Sequence, residues 1–429
     1  MPAGIVPSSL SLDVTGTPAL PPDVLYAQVL AALDRAIRPT LAPGSSLRFG
    51  AVNPWPLPPL PAGARTAVAV SATIAGGPAT PIVTGTTTVT INSVEAPAPA
   101  PRLLFLSDDP EYITSDGVVF RGTLTADRPA RLYYYHSDIG TPRDLDVVLT
   151  ATSPARVHLI SSASGPDLDV LTVGHAVTLD LLCYERQNVG IAVDLVPGKP
   201  FVVRHAMLLQ GEVVAGAVDM QVLGAGTVTA SVLAAPAGSR PEAYLNAPRV
   251  PFDGHSRHGV FALDDFGKLT GAYTVGGPDV AVQYGTRGAS PKNVDPNDSG
   301  RDYGDYGITH QITFTLNNPS DFSSTVYLYE KPLGGPVRSS FFVDGQLREL
   351  GCVRVAKPYW IATFQVPAHS NGATTTVTMT DGGSFYPLEF GITQQQPSPY
   401  TPPPGSPDGC SPGASPFAGT TAAANARRQ

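Results

Sequence analysis

Charge is scarce in this chain: Asp, Glu, Lys and Arg make up 14% of its 429 residues, against roughly 25% in an average soluble protein. A surface dressed mainly in Lys and Glu, as on a helical cytosolic enzyme, is therefore excluded, and Thr, Ser, Asn and Gln must supply the polar face. Basic clusters are missing too. The densest is Arg427-Arg428, and the formal net charge is −8. Binding nucleic acid requires Lys/Arg stripes that displace counterions, so a nucleic-acid partner is excluded. No run of about 18 apolar residues occurs, which leaves no candidate for a transmembrane helix. There are three cysteines, Cys183, Cys352 and Cys410, with no metal-like spacing. Cys183 and Cys352 sit in apolar runs and read as small buried hydrophobes. A Cys183–Cys352 bridge is an open alternative, and Cys410 falls in the tail. The opening Met-Pro-Ala-Gly-Ile-Val has neither a basic n-region nor a long apolar h-region, so no signal peptide is visible.

Proline and glycine are abundant, at 45 and 43 residues. Each Pro removes a backbone donor and each interior Gly weakens a helix. Short strands joined by many turns remain. The expected fold class is mainly β: tandem antiparallel β-sandwich domains, Ig-like or jelly-roll-like, behind a small N-terminal α+β domain.

Residues 1–95 form that first domain. Ser9–Val14 reads as a strand, and Pro21-Pro22-Asp23 opens a helix to about Ile37, with Leu25, Val29, Leu33 and Ile37 at helical spacing. Asn53–Pro61 is extended by its prolines. A packing segment across a sheet is preferred to a polyproline ligand, because Trp55, Leu57 and Leu60 alternate. Strands Ala67–Ile74 and Thr86–Asn92 follow, with Gly76-Gly77-Pro78 near the turn. Residues 96–101 (Ala-Pro-Ala-Pro-Ala-Pro) are a stiff linker. Residues 102–236 hold the first sandwich, with strands at 118–124, 131–137, 146–150, 156–160, 201–208, 213–222 and 227–233. His175–Glu185 fits a helix or a strand, and the helix is preferred. Residues 237–391 hold the second sandwich, in which Ile308, His310, Ile312, Phe314 and Leu316 share one face of a strand. Further strands are expected at 325–329, 340–343, 359–366 and 374–379. Residues 392–429 contain almost no core former and read as a Pro-rich disordered or extended tail.

Four constellations carry potential chemistry. In Asn293–Gly307, the residues Asp295, Asn297 and Ser299 stand at positions 1, 3 and 5 of a calcium-type loop with Gly300 at 6, and Asp302 or Asp305 stands in for the missing final Glu. An acidic solvated turn is the favoured reading, and calcium, the one cofactor considered, the alternative. Asp253-Gly-His255-Ser-Arg-His258 with Asp264-Asp265 has zinc-type ligands, but His255 and His258 converge only if a turn intervenes, so a hydrogen-bonded loop is preferred. Ser107-Asp108-Asp109-Pro-Glu111 with Thr114-Ser-Asp116-Gly is an acidic patch that holds a cation or, more commonly, caps turns. Tyr133-Tyr134-Tyr135 suits sugar stacking, although alternation buries at least one ring. Hydrolase, phosphate-loop and dinucleotide motifs do not occur, so no catalytic residue is assigned.

Tyr112–Gly117 running on to Arg128–His136, His255–Phe261, and Tyr303-Gly-Asp-Tyr-Gly307 leading into a strand that ends Leu316-Asn-Asn-Pro319 together resemble a poorly characterised group of exported bacterial β-sandwich proteins, over roughly residues 102–391. The resemblance implies an exported, surface-associated β-protein and assigns no activity. The expectation is a secreted or cell-surface, non-enzymatic structural or interaction protein, a surface-layer, appendage or adhesin component whose partner is itself or another surface component. Its rivals are a carbohydrate-binding or carbohydrate-active protein and a calcium-stabilised adhesion module.

Overall fold

The computed structural model describes residues 2–16, 19–20, 22–57, 59–76, 80–264, 266–286, 290–353 and 357–399. Most of the expected tail (400–429, with Cys410 and Arg427-Arg428), Asp265 and the Gly77-Pro78 turn lie outside them. The architecture is mainly β, as the proline and glycine content requires. Among the described residues, no helix is long and apolar enough to cross a membrane.

In the first lobe an eleven-stranded sheet has the order His258–Ala262, Leu103–Ser107, Ala130–Asp138, Val213–Leu223, Ala155–Asp167, Gly190–Leu195, Ser9–Thr15, Val83–Ser93, Arg65–Ala75, Ser46–Asn53, with Tyr112–Ile113 pairing beside Ala130–Asp138. It faces a four-stranded sheet of Phe201–Leu208, Arg143–Ala151, Thr227–Pro236 and Gly117–Thr125. The N-terminal strands join this sheet directly, because Asp13–Thr15 pair antiparallel with Gly190–Ala192. Residues 96–101 therefore connect two strands of one sheet. The second lobe stacks a five-stranded sheet (Lys268–Thr274, Thr309–Asn318, Ser370–Met379, Val337–Val343, Gln346–Val353) on a four-stranded one (Val280–Tyr284, Leu388–Thr393, Ser324–Pro332, Tyr359–Val366). Pairing is mostly antiparallel. Parallel pairs join Ser9–Thr15 to Val83–Ser93, both Leu103–Ser107 and Tyr112–Ile113 to Ala130–Asp138, and Lys268–Thr274 to Thr309–Asn318.

Helix α1 (Pro22–Ile37) starts on a proline, whose missing N–H costs nothing there, and buries Leu25, Val29, Leu33 and Ile37. Helix α2 (Val170–Gln187) is capped by Asp169, whose side chain accepts from Thr172 N, and ends on Asn188 in the left-handed region at φ 53°. It packs on strands Ala155–Asp167 and Val213–Leu223 of the first lobe and also on Val337–Val343 and Ser370–Met379 of the second. Burial on both sides explains why its sequence admits a strand beside the preferred helix: Val177, Leu179, Leu181 and Cys183 are all inside. One hydrophobic core accordingly runs from Ala3 to Met379 and takes in Phe342 of the second lobe. The second sandwich has its own core around Phe314, Phe341 and Phe390.

Candidate functional site

Three of the polar clusters picked out in the sequence meet at one place, and the strand register shows why. Ser107 ends its strand directly opposite His258, which begins the neighbouring one. The segments Asp108–Glu111 and Asp253–Arg257 thus emerge side by side, and Asp108 N donates to Arg257 O at 3.0 Å. Asp109 then holds the turn. Its Oδ1 accepts from Asp253 N at 2.9 Å, and its Oδ2 accepts from Ser256 N at 2.8 Å. Ser256 sits at φ 63°, a left-handed conformation that a side chain adopts at a cost. Arg257 bonds both the Asp108 and the Glu111 carboxylates. The third cluster runs along the outside of strand His258–Ala262: Val294 N donates to Val260 O at 2.7 Å and Arg301 N to Ser256 O at 2.7 Å. Gly300 lies against the strand so closely that a Cβ would stand 1.8 Å from His258 O. His258 joins two clusters, with Nδ1 3.2 Å from Asp109 Oδ2 and Nε2 3.0 Å from Asp298 Oδ1. Phe252 stacks on its ring at 3.8 Å between centroids.

Burial dominates the electrostatics of this seam. It pushes the Asp108 carboxyl up to about 7 against the pull of Arg257, raises Asp305 to about 7, and raises Asp302 well above the carboxylate range, with Asp305 adding to the effect. His310 Nε2 lies 3.5 Å from Asp305 Oδ2, which invites an ion pair. Burial prevails instead, driving the imidazole down to about 3, so the pair is held neutral in mildly acidic solution. Ser107 Oγ lies 2.9 Å from His136 Nε2, and His136 Nδ1 lies 2.8 Å from Pro110 O. Only the tautomer protonated on Nδ1 satisfies that carbonyl, so Nε2 accepts from the serine. This has the geometry of a nucleophile and base, but Ser107 is 1% exposed and His136 0%, and burial lowers the imidazole to about 4. At the surface, His255 places Nδ1 2.6 Å from Asp253 Oδ1 and turns Nε2 toward Glu111 Oε2 at 3.7 Å. Both ring nitrogens of this histidine thus face carboxylates of the same chain.

The calcium-type loop divides. Asp295, Asn297 and Ser299 are exposed, whereas Asp302 and Asp305 are buried beneath them. Asp302 Oδ1 accepts from Tyr306 N and Asp305 Oδ2 from Gly285 N, while Asp295 Oδ1 caps Asn297 N. Among the described residues, no group of three or more His, Cys, Asp or Glu side chains is arranged to hold a metal ion. The zinc-type residues diverge likewise: His255 and His258 bind different carboxylates, and Asp264 pairs with Arg102 at 3.0 Å. All three tyrosines of Tyr133–Tyr135 are buried, because strand Ala130–Asp138 is covered on both faces, so they offer no sugar platform. Leu57 and Leu60 are buried as the packing reading expects, while Trp55 is 40% exposed against the Tyr26 ring. Cys352 is a free, exposed thiol, so the Cys183–Cys352 bridge is not formed.

Two clamps carried no sequence signal, since their members lie far apart in the chain. Arg131 grips Asp219 through Nε at 2.6 Å and Nη2 at 3.0 Å, bonds Glu185 of α2, and donates through Nη1 to Gly307 O at 3.0 Å and Thr309 Oγ1 at 2.7 Å. His175 of α2 reaches Asp381 and Glu349 of the second lobe. Both clamps bind lobe to lobe.

No family model matches the chain, and no curated protein does. Among solved structures it is similar to Lac15 from a marine microbial metagenome, at 11% identity over 77% of this chain and 73% of that one, with a TM-score of 0.13. It is also similar to the PBSX exported protein XepA, at 9% identity over 65% and 86% with a TM-score of 0.14. A third is the CBM22-1-CBM22-2 tandem domain of Paenibacillus barcinonensis Xyn10C, at 11% identity over 70% and 100% with a TM-score of 0.13. Likenesses at these scores carry no functional argument.

Proposed function

We propose that this protein is a non-enzymatic structural or interaction protein of the cell surface or exterior that associates with copies of itself, in the manner of a surface-layer, appendage or adhesin component. One observation carries the reading: the buried polar residues with catalytic or ligating potential are engaged by other groups of the chain, as Asp109 is by Asp253 N and Ser256 N. The low charge content and the resemblance to exported β-sandwich proteins support the exterior location. Light scattering on natively isolated protein tests the proposal. Assemblies larger than one chain are expected, and a strict monomer at every concentration overturns it.

A carbohydrate-binding reading has one specific support. Trp360 is 38% exposed on the sheet surface, and an exposed indole face is suited to stacking on a sugar. Tryptophan fluorescence titrated with soluble polysaccharides tests it, and a flat response removes it.

A further inference from the structure

We infer that a cavity between helix α1 and the sheets of the first lobe is a binding site for a small hydroxy-carboxylate, whose carboxylate pairs with Arg35 and whose hydroxyl donates to Gln28. This goes beyond the function proposed above and does not depend on it.

The site begins in the sequence of α1. Ala27, Gln28, Ala31 and Arg35 are spaced three or four residues apart, so they share one stripe of the helix, and all four line the cavity. The neighbouring stripe carries Leu25, Val29, Leu33 and Ile37 into the core. Two alanines on this one are too short to reach the sheet, and a hollow of about 30 Å³ is left. Leu159 and Ser161, two residues apart on one strand face, form the opposite wall with Ile191 and Val203. By volume the hollow accommodates roughly two waters, or the polar end of a small organic molecule.

The polar groups of the lining ask for a particular ligand. Gln28 Nε2 donates to Gly190 O at 3.4 Å, which fixes the orientation of the amide, because the flipped form would set two carbonyl oxygens together. Its Oε1 is buried with no partner among the described residues and needs a donor. Arg35 is half-buried, with its Cζ 4.9 Å from the centroid of the Phe201 ring. Phe201 shares a strand face with Val203 of the wall. An aromatic face attracts a cation without neutralising it. The nearest acidic neighbour in sequence, Asp34, is held by Arg38 through both oxygens at 2.8 and 2.6 Å. Burial lowers the guanidinium to about 10, so it remains a cation at neutral pH. A carboxylate supplies the counter-charge through two parallel hydrogen bonds. A hydroxyl on the same ligand supplies the donor that Gln28 Oε1 requires. The lining holds no Asp or Glu among the described residues, so an ammonium group would face Arg35 unpaired, which excludes amino acids.

Isothermal titration calorimetry on the full chain tests the inference with three probes of nearly equal size: glycolate, acetate, which lacks the hydroxyl, and glycolamide, which lacks the charge. Glycolate should bind at least tenfold more tightly than either. Gln28→Leu should reduce glycolate to the affinity of acetate, and Arg35→Met should abolish its binding. Methionine keeps the apolar stem and removes a cation that has no counter-charge, so the ligand-free melting temperature of Arg35→Met should equal or exceed that of wild type. Glycolate should raise the wild-type midpoint and leave that of Arg35→Met in place. No heat with glycolate, equal affinity for all three probes, or unchanged binding in either variant overturns the assignment. An Arg35→Met chain that melts several degrees lower without ligand shows the guanidinium to be structural, and also overturns it.

Discussion

His175 Nδ1 stands 2.9 Å from Asp381 Oδ2, with its Nε2 3.1 Å from Glu349 Oε1. The histidine belongs to helix α2 and both carboxylates belong to the second lobe, so one imidazole fixes the helix to two separate segments across the seam. Burial pushes its pKa down, but the hydrogen bonds to Asp381 and Glu349 outweigh that and raise it to about 9 from 6.5. A group whose folded pKa is raised contributes stability that is complete below the unfolded value and is lost as pH rises through the folded one. The melting temperature should therefore fall between pH 6.5 and beyond 9, and His175→Gln should flatten that fall while lowering stability by on the order of 3 kcal/mol near neutrality. Thermal melts across that range check it, and an unchanged slope in the variant contradicts it.

The raised carboxyls act in the same direction at lower pH. Asp108 and Asp305 near 7 and Asp180 and Glu330 near 8 owe their shifts chiefly to burial. Each binds its proton more tightly when folded, so each favours the native state below its unfolded value and progressively less as pH climbs to the folded one. His136 and His310, lowered by burial to about 4 and 3, pull the other way below pH 6.5, but the four carboxyls outweigh these two imidazoles, so denaturant midpoints should be higher at pH 5 than at pH 8. The reverse order would mean that these carboxyls ionise easily, as they would in an open cleft.

Arg131→Met should cost about 3–5 kcal/mol, because it strands Asp219 without its cation inside the protein. Asp219 is 0% exposed. Arg131→Met/Asp219→Leu should recover part of the loss, since a well-packed apolar pair removes the uncompensated charge. Urea unfolding of the single and double variants measures both, and a double variant no more stable than the single one contradicts the ion-pair account.

Calcium should leave the protein unchanged. Asp295, Asn297 and Ser299 lie at the surface, whereas Asp302 and Asp305 lie beneath it, and one ion needs six to eight oxygens around a single point. Melts in calcium and in chelator should coincide. A midpoint several degrees higher in calcium would restore the loop as a binding site.

Legibility in the sequence tracks one-sided burial. Helix α1 was readable because Leu25, Val29, Leu33 and Ile37 face one core, and Thr309–Asn318 because its burial alternates. Leu103–Ser107 was not, since all of its residues are inside and no period survives. The polar clusters were legible as compositions, but their convergence depends on contacts such as Asp109 to Ser256, 147 residues apart. Local spacing carries no record of such pairings. The His175 and Arg131 clamps were hidden for the same reason.

The central claim is that residues resembling catalytic and metal-binding chemistry serve to join two β lobes into one cooperative body. Differential scanning calorimetry of the intact chain tests this most directly. A single transition, moved down as one peak by His175→Gln, whose imidazole reaches Asp381 and Glu349 of the second lobe, is the expected result. Two resolved transitions in the wild-type protein, with His175→Gln altering neither, would contradict it.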